Sequence, residues 1–349
     1  MDKKSKDHNK LINKKEYKGY NLGVEILRVF LSFMVIMDHL YNKKKLKNYL
    51  YILYYHIPTF FLISFYFNYK TLISFNINKI KIRLERLLIP YFSWCIISWI
   101  INIIYYYIFK KESNYSLKVF ILNLINGHIL NVVLWFQNIL ILTTFLFLII
   151  IFIFRNNYFL ILNALGLFCY ILQYSGINYK FFINKVSIHF RLTYGRFAEA
   201  FPNALTGFFL ASIDIIQKCT VKKQSVIFFS LIILIIISKY KVFSGLKTFK
   251  YGGIRLNIAA ICIFLIFSLI PFQTIKFNIF IKIIIHISNY TGGIYFIHHL
   301  VGDGYLCKSI SLIKKHAFFR CIIIYFISYI LSFIGMKIFK KTKFRHLFA

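Results

Sequence analysis

Charge is missing from long parts of this chain. Leu87–Phe109, Ile129–Phe154, Leu256–Ile275 and Ile283–Gly302 contain no Asp, Glu, Lys or Arg. A membrane helix needs about 20 apolar residues, and each run meets that length. A soluble domain would alternate polar and apolar faces, so a soluble fold is excluded. A hydrophobic share of 59% and a mean hydropathy of +0.67 agree. Acidic residues are also few, 10 against 44 Lys and Arg, for a net charge of +34. That surplus does not make a nucleic-acid binder, because the basic residues sit in short clusters between apolar spans and build no compact basic face. Basic loops suit anionic lipid headgroups, and the abundance of Lys, Asn, Ile, Tyr and Phe reads as a codon bias toward A and T. The six cysteines (Cys95, Cys169, Cys219, Cys262, Cys307 and Cys321) include no C-x-x-C pair. A disulfide or metal framework is therefore not expected, and the cysteines read as small buried hydrophobes.

What is present is a series of spans. Hydropathy and breaker residues place about ten, near 21–41, 48–69, 87–109, 131–154, 158–175, 197–217, 224–240, 255–270, 283–305 and 318–338. The piece 116–130 reads as a re-entrant or interfacial helix. The fold class is all-α, a polytopic integral membrane protein of about ten transmembrane helices. Residues 1–20 form a polar tail with seven lysines, 21–340 the membrane domain, and 341–349 a basic C-terminus. The first span is too long for a signal peptide and carries Arg28, so it is retained. Loop charges are nearly balanced, and the two basic ends place both termini in the cytoplasm. No internal repeat supports an inverted-repeat transporter.

The first span, VEILRVFLSFMVIMDHLYN, holds Glu25, Arg28, Asp38 and His39. A charge near the bilayer centre costs at least ~2.5–3.5 kcal/mol, so these side chains face a bundle interior or a watery cavity. Eleven residues of helix turn about 20° past three full turns and rise ~16.5 Å. Arg28 and His39 therefore share one face, and Glu25 can neutralise Arg28 across i,i+3. For that pair alone, an interhelical ion pair plus a headgroup-level histidine stands level with a functional reading. Further on, Arg83 and Arg86 stand one turn apart before Pro90 and can grip one phosphate-rich group; alone they read as a positive-inside anchor. Late in the chain Tyr295, His299 and Asp303 share a helix face, with His298 about 100° away. That cluster reads as cavity lining or an interfacial group rather than a metal site. Trp135 defaults to an aromatic belt, with stacking on a sugar or adenine as the functional option. Glu199 lies before Pro202 in a broken span, and His189 reads as a loop residue.

Taken together, Arg28-x10-His39, HIPTFFLIS at 56–64, RLERLLIPYFSW at 83–94, LWF at 134–136 and GGIYFIHH at 292–299 resemble the membrane-bound acyltransferase-3 family. Among its members the chain is most similar to those that O-acetylate bacterial surface polysaccharides, where a His-x-Pro like His56 and Pro58 precedes a Phe-rich run. The resemblance implies ten spans in the bacterial cytoplasmic membrane. It implies His39 as the catalytic histidine, Arg28 on the acyl-donor route, and Arg83 with Arg86 on the coenzyme A phosphates. His56, Trp135, Tyr295, His298, His299 and Asp303 would line the cavity. Acetyl-CoA would be the donor substrate, with no permanently bound cofactor and no metal. Expected partners are membrane lipids, a glycan acceptor and polysaccharide-biosynthesis proteins, not nucleic acid. Where the family has Ser-Gly, this chain has Ser64-Phe65, so packing near the donor channel should differ. Competing readings are a glycan transporter or flippase, and a polymerase or ligase, which should carry a large outer loop. None of the loops exceeds about twenty residues on the hydropathy placement.

Overall fold

A computed structural model describes residues 21–40, 55–109, 116–127, 133–174, 188–218, 223–239, 253–270, 279–301 and 317–348. The 1–20 tail and Asp303 lie outside these residues. The elements in order are α1 (Leu22–Leu40), α2 (His56–Ile73), α3 (Ile77–Phe109), α4 (Leu117–Asn126), α5 (Leu134–Ile153) and α6 (Tyr158–Tyr174). There follow α7 (Ile188–Ser212), a single turn at Ile215–Lys218, α8 (Lys223–Lys239), α9 (Ile254–Leu269), α10 (Ile279–Ser288), α11 (Thr291–His299) and α12 (Ala317–Ile338). A 3-10 helix, Lys343–Leu347, completes them, and no strand occurs among the described residues. The protein is an all-α, polytopic membrane protein.

Each expected span overlaps a helix. By length and composition, three of the helices among the described residues can cross a bilayer alone: Ile77–Ile104 within α3, α5, and Phe318–Ile338 within α12. The pair α10–α11 makes a fourth if counted as one span, and α6, α8 and α9 are apolar but shorter. The inner helices fall short in hydropathy because they carry polar groups that face protein. The helix α1 packs against α2, α9, α10, α11 and α12, so its charges meet neighbours rather than lipid. On the outside, Ile96, Ile100, Leu142, Ile149, Phe229 and Phe326 are exposed, an apolar surface suited to acyl chains.

Two expectations are corrected. The span at 283–305 is not one rod: α10 and α11 meet at 62°, with the break at Asn289 and Tyr290. The helix α7 runs unbroken through Pro202 and begins at Ile188, so His189 is helical and not in a loop. Proline frees the carbonyl four residues before it, which here is Ala198. Gln173 of α6 donates to that carbonyl at 2.6 Å and accepts from the Gly253 amide at 2.6 Å. Near Pro90 of α3, Gln137 donates to the Leu87 carbonyl at 3.0 Å. In α7 proline survives because a neighbouring amide satisfies the freed carbonyl; at Pro90 the freed carbonyl is that of Arg86, and Gln137 ties the adjacent Leu87 carbonyl to α5 instead. As expected, α4 does not span: Ser116 caps its start, and Gly127, at φ 69°, ends it.

Lipid tails are as apolar as leucine, so shape and close approach hold such bundles together. Phe147 of α5 is fully buried, with Phe65 of α2 at 4.6 Å and Phe201 and Phe208 of α7 at 5.4 and 5.2 Å. Gly207 lets α7 approach α2, because a Cβ there would lie 2.1 Å from the Leu62 carbonyl oxygen. The four described cysteines are buried free thiols.

Candidate active site

Asn21 fixes the start of α1. Its side chain accepts from the Val24 amide at 3.2 Å and donates to the Ser268 carbonyl at 2.9 Å. One turn on, Glu25 and Arg28 form the i,i+3 pair at 3.1 Å. Arg28 also donates to Thr291 Oγ1 at 3.2 Å, so α1 and α11 orient the guanidinium between them. Arg83 of α3 donates to Ser64 Oγ at 2.6 Å. Its Nε is buried without a hydrogen-bond partner among the described residues. Ser64 thus keeps a polar task beside Phe65, whose side chain is buried against Phe147.

These arginines converge. Arg28, Arg83, Arg86 and Lys79 line a cavity of about 670 Å³, with His346 at its edge. Its inner end is apolar, formed by Phe60, Phe136, Tyr295 and Phe296. Ligand cavities run to about 300–1,000 Å³, and this one is cationic at one end and aromatic at the other. Among the described residues Glu25, already paired with Arg28, is its one carboxylate.

The histidines gather separately. His39 ends α1, and its ring lies 5.3 Å from His298 and 6.2 Å from His299, centroid to centroid. The 100° between His298 and His299 therefore does not part them: two adjacent side chains straddle α1, and both reach His39. His298 is buried, and its Nδ1 lies 3.2 Å from the Ile294 carbonyl. A carbonyl only accepts, so Nδ1 carries the hydrogen and the neutral ring keeps a lone pair on Nε2. That Nε2 is buried and has no hydrogen-bond partner among the described residues.

Tyr295 joins the two halves. It lines the cavity, packs on Phe136 at 5.4 Å and on His298 at 5.9 Å, and donates its hydroxyl to the Val133 carbonyl at 2.9 Å. Of the expected residues, the cavity brings together Arg28, Arg83, Arg86 and Tyr295. His39, His298 and His299 cluster behind Tyr295. His56 is buried at the start of α2 and is not among the residues that line this cavity. Trp135 is not a belt residue: it is buried, with the Arg196 guanidinium stacked 4.3 Å from its ring centroid. The sequence reading missed Thr291 and His346, which meet Arg28 and Arg86 only through tertiary packing, and Lys79, which stands two turns before Arg86 on the same helix. Among the described residues no group of three or more His, Cys, Asp or Glu could hold a metal ion.

The family model for an acyltransferase domain, that of the acyltransferase-3 proteins, matches residues 21–340. No curated protein and no solved structure matches the chain.

Proposed function

The chain belongs to the acyltransferase-3 family and is a membrane acyltransferase; from that premise we propose that it moves an acetyl group from cytoplasmic acetyl-CoA to a hydroxyl of a cell-surface polysaccharide or lipid-linked glycan. The observation that carries this reading is the cavity with Arg28, Arg83 and Arg86 at one end and Tyr295, backed by His298 and His39, at the other. Phosphates pair with guanidinium groups, while a thin thioester arm suits the aromatic end. Nothing in the described residues favours the transporter alternative.

The chemistry follows from the two ends. A sugar hydroxyl is a poor nucleophile, and histidine is the usual general base near neutral pH. His39 takes the hydroxyl proton as the oxygen attacks the thioester carbonyl. The C–O bond forms, the C–S bond breaks, and the leaving thiolate takes that proton, releasing coenzyme A and the ester. Acyl-CoA is made in the cytoplasm and the finished glycan lies outside. Arg28 in the inner half and His39 about 16.5 Å further along α1 fit a bacterial cytoplasmic-membrane protein with both termini inside.

The test uses membranes containing the protein, labelled acetyl-CoA and the host's surface polysaccharide. Alkali-labile label should enter the glycan with the native chain. His39→Ala at matched expression should lower transfer by about 100-fold or more. Transfer that survives His39→Ala would remove His39 as the base.

A further inference from the structure

Residues 341–349 read in sequence as a basic C-terminus; in the structure 343–345 stay exposed while 346–348 are partly or fully buried against the bundle. Three contacts hold them to the bundle. Lys343 Nζ meets Glu85 Oε1 at 2.6 Å, next to Arg86 on α3. Trp94 Nε1 of α3 donates to the Leu347 carbonyl at 3.4 Å, and Leu347 is buried. Phe348 lies over two glycines: a Cβ on Gly335 would fall 2.5 Å from its ring, and one on Gly293 2.7 Å from its carbonyl oxygen. Any larger side chain at either glycine has to displace the segment, since packed interiors hold no such room. The docking sets His346 in the wall of the cationic cavity that Arg83 and Arg86 also line.

We infer that segment 343–348 is a donor-binding element, in which His346 contacts a phosphate of the nucleotide-like donor beside Arg83 and Arg86. The inference rests on the reading of this cavity as the acyl-CoA site. A phosphate offers several acceptor oxygens, more than two arginines fill, and an imidazole N–H adds a donor, or a full charge once protonated. Partial burial lowers the pKa of His346, as do the charges of Arg345, Arg86 and Lys343, against the opposing pull of Glu85. Glu25, Lys79 and Arg83 line the same cavity. A phosphate beside the imidazole reverses that balance, so binding takes up a proton at His346 and tightens as pH falls below the ordinary histidine range. The phosphate's own protonation works the other way, and comparison with a His346 variant separates the two.

Coenzyme A itself is the probe, titrated into the full-length protein in lipid nanodiscs at pH 5.5, 7 and 8. His346→Gln keeps the side-chain bulk and the Lys343–Glu85 contact. It should weaken binding by about tenfold at pH 5.5 and flatten the pH dependence relative to the native chain. Phe348→Ala, which loosens the segment without touching its charges, should reproduce the weakening. The segment is only packing if both variants bind like the native chain while Arg86→Ala loses affinity. If the native chain binds no coenzyme A at all, the donor reading of the cavity falls, and this inference falls with it.

Discussion

His298 has one ring nitrogen occupied and one spare. With Nδ1–H held by the Ile294 carbonyl, Nε2 is a fixed, buried lone pair within a ring contact of His39. With His39 as the proposed base, such a group would help the neighbouring imidazole carry a proton. His298→Asn keeps a donor for Ile294 and loses Nε2. It should lower kcat by about 10- to 100-fold with the donor KM unchanged, and should shift the pH–rate profile. A merely structural role would leave that profile where it was. Local spacing made part of this site legible: Glu25 with Arg28 follows from i,i+3, and Arg28 with His39 from helical phase. Thr291 and His346 were not legible, because Arg28 meets Thr291 across 263 residues and no local pattern encodes such a meeting. His298 was visible as a residue but not as a neighbour of His39, since helical phase gives a direction and not what lies there.

At the scale of elements, Gln173 ties three helices together. It satisfies the Ala198 carbonyl that Pro202 releases in α7 and receives the amide at the start of α9. Gln173→Leu would leave both groups buried and unpaired, at about 1–3 kcal/mol each. The protein in detergent should melt at a clearly lower temperature, and protease should open the α6–α7 region first. Proline in the sequence led the reading to break α7 at 202. The rule fails there because the compensating amide sits on another helix. The Phe-rich runs of α2 and α5 are visible in sequence as apolar stretches, but that Phe65, Phe147, Phe201 and Phe208 meet, and that Gly207 approaches Leu62, depends on which helices pack together.

For the whole molecule, each stretch that hydropathy marked as a span overlaps a helix among the described residues, because a bilayer imposes one length on apolar runs. Only three of those helices, or four with the bent pair, are long and apolar enough to cross alone. How the spans assemble was not legible, since lipid-facing and core-facing residues are equally apolar. The assembly nevertheless has a measurable consequence. A ligand that binds only the folded bundle stabilises it by about 2.7 kcal/mol at 100 times Kd. Coenzyme A should therefore raise the melting temperature in a concentration-dependent way, and the Arg83→Ala, Arg86→Ala double variant should lose most of that rise. An unchanged melting temperature in the native chain at saturating coenzyme A would count against the cavity as the donor site.

The 62° break between α10 and α11 also shapes the electric field in that cavity. A continuous span would offer only closed peptide hydrogen bonds at this depth. The break instead starts a helix there, and its first residues, Thr291 and Gly292, line the cavity. A helix start carries about half a positive charge from its unpaired amides. Arginines can be substituted and a histidine can be titrated, but this contribution belongs to the backbone. The attraction for an anion should therefore have a floor that neither pH nor the loss of a single arginine removes.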